Sequence, residues 1–264
     1  MFKVTKYPHS TFSWADCSST DAAVGKTFYS ELMGWTTEDI PMGDGTFYTF
    51  FKKDGETVAA ISPMPQAMKD QGMYSVWNSY ITVDDVDVMH AKAKEHGGTV
   101  MGEPIDVFDN GRMLVLQDPT GAVVSLWQPK SHIGASLVNT VGALSWNELY
   151  TRDMPKATDF YSKLLGWDID KVDGMEYWVA SVKGRQNAGM MPIRDEWGEM
   201  PPHWMAYFAV ADIEAATDKV EKLGGKVHSR LIDMGDVGRG SVIADPAGAV
   251  LTIIQINKPD PWIE

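Results

Sequence analysis

The chain repeats itself at the scale of a domain. Phe12-Ser13-Trp14-Ala15-Asp16 returns as Leu144-Ser145-Trp146-Asn147-Glu148, and Phe28-Tyr29-Ser30 with Gly34-Trp35 returns as Phe160-Tyr161-Ser162 with Gly166-Trp167. The offset is 132 residues between Phe28 and Phe160, 129 between Gly45 and Gly174, and 127 from Trp77 and Trp204 onward. That last offset pairs Gly97-Gly98 with Gly224-Gly225, Gly111-Arg112 with Gly238-Arg239, and Asp118-Pro119-Thr120-Gly121-Ala122-Val123 with Asp245-Pro246-Ala247-Gly248-Ala249-Val250. So long a period is not a solenoid unit. It is a domain duplicated, with two short deletions in turn-like stretches. The expected boundaries are a module over 1–129, a linker over 130–140 and a second module over 141–264.

Each copy reads strand, helix, strands, and then the same order again. In the second copy a strand over Gly142–Leu149 leads to a helix capped by Asp153, with Pro155 in its first turn and Gly166 at its end. Asp173-Gly174 is a hairpin signal between the short strands that follow. A strand over His203–Val210 then precedes a helix capped by Asp212, with Ile213, Ala216, Val220 and Leu223 as its apolar stripe. One β-α-β-β-β unit leaves an apolar sheet face open, and two side by side close a curved sheet into a cup. The expected class is α+β, with the helices outside each cup and a small-molecule site within it.

Charge and cysteine content narrow the function. A net charge of −13 opposes nucleic acid and anionic membranes as partners. No apolar run approaches the ~20 residues of a membrane span, and Met1 to Lys6 lack the apolar core of a signal peptide. The single cysteine, Cys17, suits a reducing cytoplasm and reads as a packing residue.

The strand, the Asp-capped helix, Phe-Tyr-Ser-x-Leu-x-Gly-Trp, the Gly-Gly helix end and the closing Asp-Pro-x-Gly-Ala strand resemble the vicinal-oxygen-chelate superfamily of glyoxalases, bleomycin-resistance proteins and extradiol dioxygenases. The resemblance implies two tandem modules of curved mixed sheet. It also implies metal-ligand positions, which fall here at Trp14, Ala60, Asn78 and Ser125, and at Trp146, Gly189, Met205 and Thr252. These residue types are poor ligands for a divalent ion, so no family metal and no other cofactor is expected.

Side chains two apart on a strand share a face. Glu148 therefore shares the Trp146 face, and His203 the Met205 face. Glu148 and His203 are the expected acid–base pair if there is catalysis, with Asn187 beside them; a structural hydrogen-bonded pair is the plainer alternative. Copy one has Asp16 and Val76 at these places, which directs attention to the second cup. The expected ligand-binding set is Trp14, Asp16, Asn78, Trp146, Asn187, Met205 and Thr252. Trp77 and Trp204 have the opposite parity and read as helix-packing residues. Arg112 and Arg239 read as salt-bridge partners of Asp106 and Asp233, and Asp118 and Asp245 as turn formers.

Two function classes lead, with a purely structural or partner-binding duplication as a third. One is a metal-independent binder of a small organic molecule in an aromatic-lined cup, in the manner of the bleomycin-resistance branch. The other is a lyase, isomerase or dioxygenase-type enzyme using Glu148 and His203 with or without a divalent metal. The two modules are expected to pair with each other as a monomer, or the chain to form a homodimer.

Overall fold

Aspartates start all four long helices, because a carboxylate before the first turn accepts backbone N–H groups the helix leaves unpaired. Asp21 accepts from Val24, Asp85 from Val88, Asp153 from Lys156, and Asp212 from Glu214 and Ala215. Gly34 and Gly166 end the first helix of each copy at a φ of 68°, in the left-handed region where glycine is favoured. The computed structural model describes residues 3–258; the outermost ends of the two expected modules lie outside that range.

The first copy comprises β1 (Thr11–Ser19), α1 (Ala22–Met33), β2 (Thr36–Pro41), β3 (Phe47–Lys53), β4 (Glu56–Pro63), the short α2 (Gln66–Asp70), β5 (Val76–Thr82), α3 (Val86–Glu95), β6 (Thr99–Val100), β7 (Ile105–Val107), β8 (Gly111–Gln117) and β9 (Val123–Pro129). The second comprises β10 (Leu144–Thr151), α4 (Met154–Leu165), β11 (Asp168–Lys171), β12 (Trp178–Val182), β13 (Arg185–Pro192), β14 (His203–Ala209), α5 (Ile213–Lys222), β15 (Lys226–Asp233), β16 (Gly238–Ala244) and β17 (Val250–Ile256).

The sheets run β2-β3-β4-β1-β5-β9-β8-β6, with β7 also on β8, and β11-β12-β13-β10-β14-β17-β16-β15. In each, the first strands of the two units pair antiparallel at the centre: β1 with β5, and β10 with β14. These are the α+β curved sheets the repeat implied.

The helices lie outside the cups, but that side is not the outside of the molecule. The convex faces turn toward each other, and the helices pack between the sheets. One buried cluster joins Val86, Met89, Leu114 and Leu126 of the first copy to Phe160, Tyr161, Leu164 and Trp167 of the second. Another joins Phe28, Tyr29, Trp35 and Trp77 to Phe208, Ile213, Val220 and Ile253. The repeated motifs are the joint itself. Trp35 Nε1 donates to Gly142 O and Trp167 Nε1 to Ser10 O, both at 2.8 Å. Phe28 and Phe160 cross to the opposite copy's Gly-Gly: a Cβ would lie 3.0 Å from the Phe160 ring at Gly98 and 2.7 Å from the Phe28 ring at Gly225.

Trp77 and Trp204 pack on the helices as expected, donating to Tyr29 and Tyr161 at 2.8 Å. Asp118 holds its turn by accepting from the backbone N–H groups of Thr120 and Gly121 through Oδ1, and its Oδ2 accepts from Tyr161 of the other copy at 2.9 Å. Arg112 pairs with Asp106 and also Asp87. Arg239 pairs with Glu214 in the first turn of α5 rather than with Asp233, its neighbour across the β15–β16 pair. Cys17 is buried and unpaired with another cysteine.

Residues 130–140 are not a free tether. They turn back into the first cup. Ala135 N donates to Ser13 O on β1, Ser136 N to Thr57 O on β4, and Val4 N to Ser136 O. Tyr7 OH donates to Ala135 O at 2.6 Å. Val4, Tyr7, Ala135 and Val138 thereby join Trp14, Tyr80 and Trp127 in a buried cluster that fills the cup. His132 is held in this filling by Trp14, Phe50 and Trp127, with ring centroids at 4.7, 5.5 and 5.9 Å. Its Nε2 has no partner, and burial pushes its imidazole down to about 4.

That depression has a sign. The unfolded chain takes up a proton on His132 near the ordinary value of ~6.5 while the folded chain refuses it, so stability falls as pH drops from about 7 toward 4. At pH ~5 the expected loss is about 2 kcal/mol. Urea unfolding at pH ~7.5 and ~5, compared with His132→Phe, measures it; an equal loss in the variant would show that other groups carry the effect.

Candidate functional site

The two cups share a polar core built on a buried carboxylate. In the first, Asp16 Oδ1 accepts from Asn78 Nδ2 at 2.9 Å, and Oδ2 accepts from Tyr48 and Tyr80 hydroxyls at 3.0 Å each. Trp14 Nε1 donates to Tyr48 OH at 3.2 Å. Burial raises the Asp16 carboxyl above its ordinary range, and the three donors pull it back.

In the second cup Glu148 Oε2 accepts from Tyr177 and Oε1 from Tyr207, both at 2.8 Å. Trp146 Nε1 donates to Tyr177 OH at 3.2 Å. Tyr207 OH also meets Tyr150 OH at 2.9 Å. Burial and the neighbouring carboxylate push these phenols up, so they stay protonated donors.

The tyrosines were not among the expected site residues. Tyr48 and Tyr177 match at offset 129, and Tyr80 and Tyr207 at offset 127. A buried carboxylate needs donors on its own face, and aligning the copies with that demand in mind points to these four.

Strand register places the other expected residues. Asp16 lies opposite Ala60 on one side and Asn78 on the other; Glu148 lies likewise between Gly189 and Met205. Ser125 and Thr252 pair with Tyr80 and Tyr207.

Glu148 and His203 do not form a hydrogen-bonded pair. The residue across from Glu148 is Met205; His203 is one pleat farther, across from Tyr150. Its ring stacks on Tyr150 at 5.1 Å and 9°, and Nδ1 lies 2.9 Å from Pro201 O. Burial holds the imidazole below its ordinary value, against the pull of that carbonyl.

Asn187 is not beside them either. The β12–β13 register shifts between Ala180 and Ser181, and the bulge turns Asn187 to the seam. There its Oδ1 accepts from Phe12 N at 3.0 Å and its Nδ2 donates to Ser10 O at 3.2 Å.

The cups differ in what covers them. Trp14 and Tyr80 are buried under the linker and the residues before β1, whereas Trp146, Tyr150, Tyr177 and His203 are only half-buried. Met205, Tyr207 and Ile254 form the floor beneath them, with Met234, Val242, Val250 and Ile256 at its rim.

Residues 12–126 and 140–253 match the glyoxalase/bleomycin resistance protein/dioxygenase superfamily. The chain belongs to that superfamily. "Putative glyoxylase CFP32" of Mycobacterium tuberculosis is 40% identical over 99% of both chains. Anthracycline biosynthesis protein DnrV of Streptomyces peucetius is 30% identical over 98% of both. Among solved structures, the Mn(II)-bound glyoxalase of Novosphingobium aromaticivorans superposes with a TM-score of 0.65 at 14% identity, over 96% of this chain and 84% of that one. At that identity the likeness is one of fold.

The superfamily's metal does not fit the donors present here. Each cup offers one carboxylate whose oxygens already accept hydrogen bonds and one imidazole, His132 or His203, among indoles and phenols. Among the described residues, no three His, Cys, Asp or Glu side chains come together as a metal site. Among the described residues, no helix is long and apolar enough to cross a membrane.

Proposed function

We propose that the second cup binds a small planar organic molecule without a divalent metal. The observation that carries this reading is the half-buried aromatic wall of Trp146, Tyr150, Tyr177 and His203 around a buried, doubly hydrogen-bonded Glu148, against a first cup filled by its own chain. Flat aromatic faces favour flat ligands. The name of DnrV, a relative over nearly its full length, supports a fused-ring class. In this reading the first cup is a structural element and the monomer supplies one site.

The test is titration with anthraflavic acid, a planar dihydroxyanthraquinone, followed by calorimetry and tryptophan quenching, with metal analysis of the same sample. The expected result is one saturable site per chain, weakened about tenfold in Trp146→Ala. Binding that Trp146→Ala leaves intact, or that requires stoichiometric metal, would overturn the reading.

A second reading is acid–base catalysis by Glu148 and His203. It is supported by the hydroxyl chain from Glu148 through Tyr207 to Tyr150, on which His203 stacks. It requires turnover of a 2-oxoaldehyde hemithioacetal or a catechol that Glu148→Gln abolishes.

A further inference from the structure

The duplication supplies an internal control, because the first cup shows what the shared polar core looks like when every partner is present. Two partners are withdrawn in the second. Asp16 has Asn78 as a third donor; the matching residue opposite Glu148 is Met205, which has no proton to give. Ser125 engages the Tyr80 hydroxyl; the matching Thr252 is fully buried, and its Oγ1 has no partner. Thr252 lies opposite Tyr207 on the strand that also carries the cup residues Val250, Ile254 and Ile256. Its side chain therefore faces the cup.

A buried hydroxyl without a partner costs free energy that a valine there would avoid. What stands over this position is adaptable. A Cβ on Gly240 would lie 2.7 Å from Met234 Cε and 3.4 Å from Thr252 Cγ2, so Met234 and Thr252 meet at the same spot. Met234 precedes a short turn, Gly235–Val237, with Gly235 at a φ of 62°. An unbranched thioether is easily displaced by a ligand.

Resting on the reading of the second cup as a binding site, we infer that its ligand is an uncharged, hydroxyl-bearing ring system. It gives one O–H to Glu148, where the first cup has Asn78, and bonds the Thr252 hydroxyl after moving Met234. A carboxylate-bearing ligand is disfavoured, since it would face Glu148 with a like charge and no described cation takes part in the cup's hydrogen bonds.

Three probes of one ring system test this: anthraflavic acid, its dimethyl ether and anthraquinone carboxylate. The parent protein should bind the dihydroxy probe about tenfold more tightly than the dimethyl ether, and the carboxylate more weakly than either. Thr252→Val should lose about three- to tenfold for the dihydroxy probe while its melting temperature rises by about 2–4 °C. Thr252→Ser, which keeps the hydroxyl, should retain affinity. Equal affinity for dihydroxy and dimethoxy probes, best binding of the carboxylate, or an unchanged dihydroxy affinity in Thr252→Val overturns the inference but leaves the site standing. No saturable binding by any of the three overturns both.

Discussion

Gly189→Val is expected to cost about 3–5 kcal/mol and to abolish binding in the second cup. A Cβ at Gly189 would stand 1.9 Å from the Tyr177 hydroxyl, 2.6 Å from its Cζ and 2.9 Å from Trp146 Nε1. Tyr177 would have to swing away, taking its hydrogen bond from Glu148 Oε2 and breaking the one it receives from Trp146. Glu148 is 6% exposed, so water cannot readily replace the lost donor. The matching residue in the first cup is Ala60, buried beside Asp16. There the reverse change, Ala60→Gly, is expected to cost only about 1 kcal/mol. Urea unfolding and probe titration of the two variants measure the contrast. A Gly189→Val protein as stable as its parent would show that Tyr177 does not lie over this glycine.

Trp167→Ala should be at least as damaging, because it opens the joint between the modules. Trp167 is 2% exposed. Its ring stacks on Tyr161 at 5.3 Å and 20° and touches Phe12 at 5.9 Å and Trp204 at 6.1 Å. Removing a buried indole costs about 3–5 kcal/mol, and its bond to Ser10 O is lost as well. Both large clusters contain side chains from each copy, so neither module's helix face is complete alone. The loss is therefore expected as one cooperative transition at a lower urea midpoint with an unchanged slope. Two resolved transitions, with only one moved, would mean that the modules fold as separate units. Trp167→Phe keeps most of the ring contact and should fall between the two.

Part of the site was readable from parity. Trp146 and Glu148 share a face because they are two apart on one strand, and the register confirms their positions opposite Tyr207 and Met205. Asn187 defeated the same rule, since one extra residue in β13 reverses its direction. His203 lies on the expected strand but not beside Glu148: its ring stacks on Tyr150 with Nδ1 toward Pro201 O, and the diagonal neighbour that does reach Glu148 is Tyr207, on the other side of Met205. The four tyrosines are not marked by any difference between the copies, because the carboxylates are held by what the copies share.

The helices, their Asp caps, their glycine ends and the succession of strands and helices along the chain could be drawn from the chain alone, because each depends on residues within a few turns of one another. So could the cup architecture, since the duplication states it twice. What the tertiary structure decided was which surfaces meet. The convex faces close on each other through Phe28, Phe160, Trp35 and Trp167, and the linker occupies one cup through Ala135 and Ser136. Those outcomes rest on shape and hydrogen-bond complementarity between segments far apart in the chain. Local patterning carries no record of such complementarity, and it is this that leaves the carboxylate of the second cup beneath a partly open aromatic wall and that of the first sealed.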